Sequence, residues 1–308
     1  MPAPGVCSLQ PGETAVDIDA IDRSARALAE LIDPCGLCPR RCGSRRKSGE
    51  TGFCGIDDRI VVASHGPHFG EEEPLVGFHG SGTIFFSGCN LGCIFCQNYD
   101  ISHLGAGRPV SPAELAGTML SLERSGCHNI NLVTPTHQVP GIVEAVGAAA
   151  RGGLGVPIVY NCGGYESVEV LKLLDGIVDI YMPDAKYSDG EVSSALSSAP
   201  DYPEMMFDAL REMHRQVGDL ETDGRGIATR GLLVRHLVLP GGLAGTERVM
   251  EFIAGELSTD TYVNIMAQYR PCYRAGEEPR LMRGITMEEF SEALAIAGSH
   301  GLHRGFHA

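Results

Sequence analysis

From residue 83 onward the chain alternates short apolar segments with stretches of helical period. TIFFSG (83–88), HNINLVTP (128–135), VPIVYNC (156–162), IVDIYMPD (177–184), GLLVRHLVLP (231–240) and TYVNIMAQ (261–268) read as strands. Residues 112–124, 139–150, 167–174, 203–217, 246–257 and 285–301 read as helices. The last helix carries its own boundaries: Thr286 is a good N-cap, Glu289 lies three residues on, and glycine stands at its end. Apolar strands separated by crossover helices form a parallel sheet with helices outside. Six strands are fewer than the eight of a closed barrel. The expected class is therefore α/β, as an open, partial (β/α)6 barrel, with a flat doubly wound sheet as the alternative.

Upstream the pattern differs. Residues 1–15 are rich in proline and glycine and read as loose; 16–32 have helical spacing, stopped by Pro34. The stretch CGLCPRRCGSRRKSGETGFCG (35–55) has neither period. It reads as a loop-built module that needs a metal to hold its shape. The expected organisation is an extension and helix over 1–34, a cysteine-rich metal-binding module over 35–75, and the barrel over 76–308.

Seven of the eleven cysteines fall into two tight clusters, and the N-terminus lacks the basic and apolar regions of a secretion signal. Clustered cysteines in such a chain favour metal over disulfides. No apolar run approaches the roughly 20 residues of a membrane helix, so a cytoplasmic protein with no membrane contact is expected. With 24 Lys+Arg against 39 Asp+Glu, the net charge is −15. That balance repels phosphate backbones and argues against general nucleic-acid binding.

The second cluster, SGCNLGCIFCQN (87–98), places Cys89, Cys93 and Cys96 at the C-terminal end of the first strand, where α/β proteins bind ligands. Three soft thiolates suit iron–sulfur or zinc, and they leave one coordination position open. Asp184 and Lys186, two apart at a strand end, can face the same mouth. The first offers a hard oxygen for a cation and the second a charge for a carboxylate. Of Arg235 and His236, one must face the interior, and a buried Arg needs a partner. Asn264, Met266 and Gln268 share one face by period two. His103 and His137 are further pocket candidates, while Cys127, Cys162 and Cys272 read as buried thiols.

The C-x3-C-x2-C spacing after a first barrel strand, with Phe95 before the third cysteine, resembles the radical S-adenosylmethionine (SAM) enzymes. CNLGCIFCQNYDIS (89–102), LVTPTH (132–137), VYNCGGYESVEVLKLLDGIVDIYMPDAKY (159–187), LVRHLVLPG (233–241) and VNIMAQYRP (263–271) extend the match. Together they are similar to the pyruvate formate-lyase activating enzyme-like branch, in a subgroup with an N-terminal four-cysteine module. The resemblance implies a partial barrel of radical SAM type and a [4Fe-4S] cluster on Cys89, Cys93 and Cys96. The open iron would be chelated by SAM. One electron would cleave SAM to a 5′-deoxyadenosyl radical that abstracts hydrogen from a substrate.

The resemblance also places the cofactor contacts. Thr134 and Thr136 stand where many relatives carry Gly-Gly-Glu, a stretch that receives the methionine amino group. Asn161, Asp184 and Lys186 match stretches near the methionine carboxylate, which can also hold a monovalent cation. Asn161 replaces an acid there. Arg235 falls near the same carboxylate, and Phe95, Met266 and Gln268 complete the expected contacts. Flavodoxin or ferredoxin is the implied electron donor. The four thiolates of Cys35, Cys38, Cys42 and Cys54 can hold a second iron–sulfur cluster or zinc. Arg40, Arg41, Arg45, Arg46 and Lys47 among them either offset thiolate charge or form a docking patch for that donor. The substrate is either a glycyl radical enzyme partner or a small molecule or peptide. A non-enzymatic metal-binding or electron-transfer protein is the alternative from another class.

Overall fold

The computed structural model describes residues 17–306; the stretch 1–15 read as loose lies outside them. Among the described residues nine strands form one sheet: β1 (Ile60–His68), β2 (Ser81–Phe86), β3 (Arg108–Val110), β4 (Ile130–Val133), β5 (Ile158–Cys162), β6 (Ile180–Pro183), β7 (Glu221–Thr222), β8 (Ala228–Leu237) and β9 (Tyr262–Met266). The six expected strands are β2, β4, β5, β6, β8 and β9. They pair in that order, each parallel to the next. The sheet does not close. β1 runs antiparallel to β2 and carries β3 on its far edge, while β9 pairs only with β8 among the strands. The result is a mostly parallel, open barrel.

The ten α-helices among the described residues, in chain order, are α1 (Ile18–Glu30), α2 (Glu73–Val76), α3 (Tyr99–Ser102), α4 (Pro112–Arg124), α5 (Val139–Arg151), α6 (Val168–Lys172), α7 (Gly190–Ser197), α8 (Tyr202–Val217), α9 (Thr246–Phe252) and α10 (Met287–Ser299). α10 begins with the expected capping box, Thr286 receiving the Glu289 N–H while the Glu289 carboxylate receives the Thr286 N–H. α4 has the same device in Ser111 and Glu114. α1 is capped by Asp17 and packs on α5, with Arg151 donating to Asp22 at 3.0 Å. No helix among the described residues is long and apolar enough to cross a membrane.

The sheet has three strands beyond the six expected. β1 is apolar at its start and turns polar through His65-Gly66-Pro67, which blurs its period. β3 contains a proline, which confines it to an edge. β7 is two residues long, below any periodicity. α7 was also unread: its start is fixed by the Asp189 side chain, which accepts from the Glu191 and Val192 N–H groups.

Candidate functional site

The C-terminal ends of the parallel strands open onto a cavity of about 240 Å³. Cys89, Cys93 and Cys96, on the loop after β2, line it. Each sulfur sits beside a hydrogen-bonding group. The Leu91 N–H donates to Cys89 Sγ at 3.3 Å, the Ser197 hydroxyl donates to Cys93 Sγ at 2.9 Å, and the Ser102 hydroxyl lies 3.1 Å from Cys96 Sγ. Burial pushes the Cys89 and Cys93 thiols upward, and Lys186 draws both back in part. All three thiols are free of disulfides. Sulfurs that are buried, as in Cys93, or half-buried, as in Cys89 and Cys96, and supplied with donors suit thiolates whose charge a metal centre shares.

Opposite them, Arg235 on β8 donates to Asp184 Oδ1 through Nε at 2.8 Å and to Asn161 Oδ1 through Nη2 at 2.8 Å. Lys186 Nζ donates to Asp184 Oδ2 at 2.6 Å. Burial acts to raise the Asp184 carboxyl, but the Arg235 and Lys186 charges outweigh it and the group titrates below its ordinary value. Burial alone would lower Lys186 and Arg235. Asp184 reverses this and holds both cations charged. Two cations thus share one close carboxylate; Glu71 is more distant, 3.9 Å from Arg235 Nη1.

The backbone makes this arrangement possible. β5 and β6 pair Asn161 with Met182, and a further bridge pairs Asp184 with Arg235, so side chains far apart in sequence share one layer. Tyr202 ties the turn down: its hydroxyl accepts from the Lys186 N–H at 3.0 Å and lies 2.8 Å from the Asp184 carbonyl, with which it bonds. Gly164 (φ +76°) fits beneath, where a Cβ would overlap that same carbonyl. Thr134 lines the cavity at φ +59°, a costly conformation for a β-branched residue.

Phe95, Thr134, Asn161, Asp184, Lys186, Arg235, Met266 and Gln268 all line the cavity. Thr136 does not: it is fully buried and donates to Glu166 Oε1 at 2.7 Å. Asn264 turns away to Glu72 Oε1 at 2.9 Å. His236 faces the helices, bonded to the Ala185 carbonyl and to Thr246, so of the pair it is Arg235 that points inward. His103 donates to the Cys93 carbonyl at 3.1 Å and stacks on Tyr273 outside the lining.

Sequence reasoning missed Glu166. Its carboxylate is buried between the Thr136 and Tyr160 hydroxyls, and burial raises it to about 7. Only the partial polarity of NCGGYES hinted at it. Asn131, two residues before the cavity-lining Val133 on β4, is also fully buried, with both amide atoms unpartnered among the described residues.

Cys35, Cys38, Cys42 and Cys54 line a second, small enclosed cavity together with Arg46, Asn90 and His137. Burial pushes Cys38 up to about 12 and raises Cys54. Cys42, the exposed member, is drawn down: burial is the largest single influence and acts upward, but hydrogen bonds from Ser44, Phe53 and Cys35 together outweigh it. The basic run is divided. Arg46 is 1% exposed and bonds the Asp57 carbonyl and Cys35 Sγ. Arg40 is spent on the carbonyls of Asn90, Ser197 and Ser198. Only Arg41, Arg45 and Lys47 are exposed. Among the described residues no three His, Cys, Asp or Glu side chains converge on the position of a single ion. A [4Fe-4S] cluster gives each of its four ligands a separate iron, so the ligands surround a volume instead of a point.

The family model described as the Radical SAM superfamily matches residues 83–224. The chain is 33% identical over 292 residues to "Uncharacterized protein MJ0674" of Methanocaldococcus jannaschii, covering 92% of this chain and 79% of that protein. It is 27% identical over 159 residues to "Uncharacterized protein MJ0808" of the same organism, 46% of each. Among solved structures, "Crystal structure of HydG: A maturase of the [FeFe]-hydrogenase" aligns over 72% of this chain and half of that one, at 12% identity and a TM-score of 0.48.

Proposed function

The chain belongs to the radical SAM superfamily, and on that premise we propose that its central cavity binds a [4Fe-4S] cluster and SAM for activating enzyme-like hydrogen abstraction. One observation carries the reading: the three cysteines and the Asn161–Asp184–Lys186–Arg235 network line the same cavity. When bound, the cluster supplies one electron to the SAM sulfonium, which releases a 5′-deoxyadenosyl radical.

The chain's own residues set the stage for that step. Cys89, Cys93 and Cys96 hold the cluster and leave one position for SAM. Lys186 and Arg235, two cations on one close carboxylate, supply the charge that the methionine carboxylate needs. A monovalent cation at Asp184 would share carboxylate oxygens that already accept from Lys186 and Arg235. Phe95, packed edge-on against Tyr187 and Tyr269, closes the apolar side, and Met266 and Gln268 offer a flank for the adenine. Exclusion of water there strengthens each of these charges.

The N-terminal cysteines hold a second metal centre, an iron–sulfur cluster or zinc. The buried Arg46 guanidinium, whose hydrogen bonds reach no carboxylate, supports this: thiolate charge would offset its desolvation. Flavodoxin or ferredoxin is the electron donor. The substrate class follows from the branch resemblance: a protein partner that receives a glycyl radical. The alternative is a small molecule or peptide.

The test is anaerobic. Reconstituted, reduced protein incubated with SAM is expected to yield 5′-deoxyadenosine, and Cys93→Ala to yield none and to lose the central iron. No deoxyadenosine from the cluster-loaded wild type would favour a plain electron-transfer protein. A glycyl radical signal on a candidate partner, read by paramagnetic resonance, separates the two substrate classes.

A further inference from the structure

The second cavity has a fifth donor that the cysteine spacing does not announce. His137 lies in a short 3-10 turn after β4, is 2% exposed, and lines the cavity with the four cysteines. Its tautomer follows from its neighbours. Nε2 lies 2.7 Å from the Ser87 carbonyl, which has no hydrogen to give, so Nε2 carries the proton and donates. Gln138 Nε2 also lies 3.1 Å from His137 Nε2, but its Oε1 accepts from the Val61 N–H at 2.6 Å and its two hydrogens face the Ser87 and Val61 carbonyls, at 2.6 and 3.5 Å. Nδ1 is therefore a bare lone pair, and among the described residues it has no partner. A buried acceptor left unmatched is costly and calls for an explanation.

We propose that His137 Nδ1 takes one of the four ligand positions of the metal centre at the N-terminal cysteines, beside three of the thiolates, so that the site is built from both the 35–55 segment and the barrel. This rests on the reading that those cysteines bind metal at all. A neutral imidazole fixed by a bond from its other nitrogen to a carbonyl is the usual form of a histidine ligand. Iron and zinc both accept mixed sulfur and nitrogen donors. The arrangement also joins the two centres: the carbonyl that orients His137 belongs to Ser87, two residues before Cys89. Gly88 between them is at φ +80°, where a Cβ would overlap the Cys54 carbonyl, so the two cysteine loops touch at this point.

The experiment uses the full chain, isolated anaerobically, with iron, sulfide and zinc counted per chain. Cys35→Ala/Cys38→Ala loses the second metal if the underlying reading holds; an unchanged count ends that reading and this proposal together. Cys93→Ala leaves only the second metal, and X-ray absorption at that metal's edge should show one nitrogen among the sulfur neighbours. His137→Gln keeps a donor for Ser87 but removes the Nδ1 lone pair. It should lose the nitrogen neighbour and release its metal to a chelator at least about tenfold more readily. His137→Asn, which keeps a polar atom near Nδ1, should retain more metal than His137→Gln. An all-sulfur shell in the His137-containing chain, with equal metal retention in both variants, would overturn the assignment while leaving the cysteine site standing.

Discussion

Lys186 and Glu166 show how burial decides what a side chain does. Lys186 stays charged because Asp184 lies 2.6 Å away. Lys186→Met should weaken SAM binding about 10- to 100-fold, the scale of a lost charged hydrogen bond. Calorimetry on the cluster-loaded protein checks this; binding within threefold of wild type would remove Lys186 from the carboxylate site. Glu166 is raised from 4.5 to about 7. Between those values the folded chain keeps a proton that the unfolded chain has released, so Glu166 lowers stability as pH rises through the window. His137 and His236, pressed by burial from 6.5 to about 4, act in the opposite sense: their contribution is lost as pH falls from 6.5 toward 4. Glu166→Gln should isolate the first effect. Relative to wild type, the variant should gain roughly 2 to 3 kcal/mol between pH 5 and pH 8 in denaturant unfolding. A flat difference would mean that Glu166 is not buried and neutral. No pattern of period or spacing could have found this residue, because its partners, Thr136 in the turn after β4 and Tyr160 on β5, come together only in the fold.

At the scale of elements, the strand ends form the site because parallel pairing aligns them. β5, β6 and β8 place Asn161, Asp184 and Arg235 in one layer, and the turn after β5 must pass under the Asp184 carbonyl to let them meet. Gly164→Ala tests this. A left-handed residue with a Cβ costs about 1 to 3 kcal/mol by strain alone, and here the overlap adds to it. The expected result is a lower unfolding midpoint together with loss of SAM binding. Wild-type binding in the variant would show that the turn does not position Asp184. The strands were legible because five of the six are short apolar runs between glycine, proline or charged punctuation. β1 was not, because it turns polar through His65-Gly66-Pro67 where it runs antiparallel at the side of the sheet. An antiparallel edge that is half exposed needs no continuous apolar run.

At the scale of the whole molecule, the two cysteine loops are latched by one side chain. Arg40 bonds three backbone carbonyls, at Asn90, Ser197 and Ser198, and stacks over Phe53 with 3.6 Å to the ring centroid. Arg40→Ala should lower the unfolding temperature by a few degrees and raise amide exchange in both 35–55 and 89–96. Faster exchange confined to 35–55 would mean that the loops are independent. The sequence by itself determined the six strands, their parallel character, the capping of α10 and the two cysteine sets. These rest on local periods and spacings that each segment carries within itself. Only the tertiary structure decided that Arg235 faces inward while His236 faces out, that Thr136 serves Glu166 instead of the cavity, that Arg46 is buried, and that His137 joins the N-terminal cysteines. Each of those depends on which surfaces meet across the fold or on which side of a strand is covered. Burial, and with it the cost of an unpaired charge or lone pair, exists only once those surfaces have met.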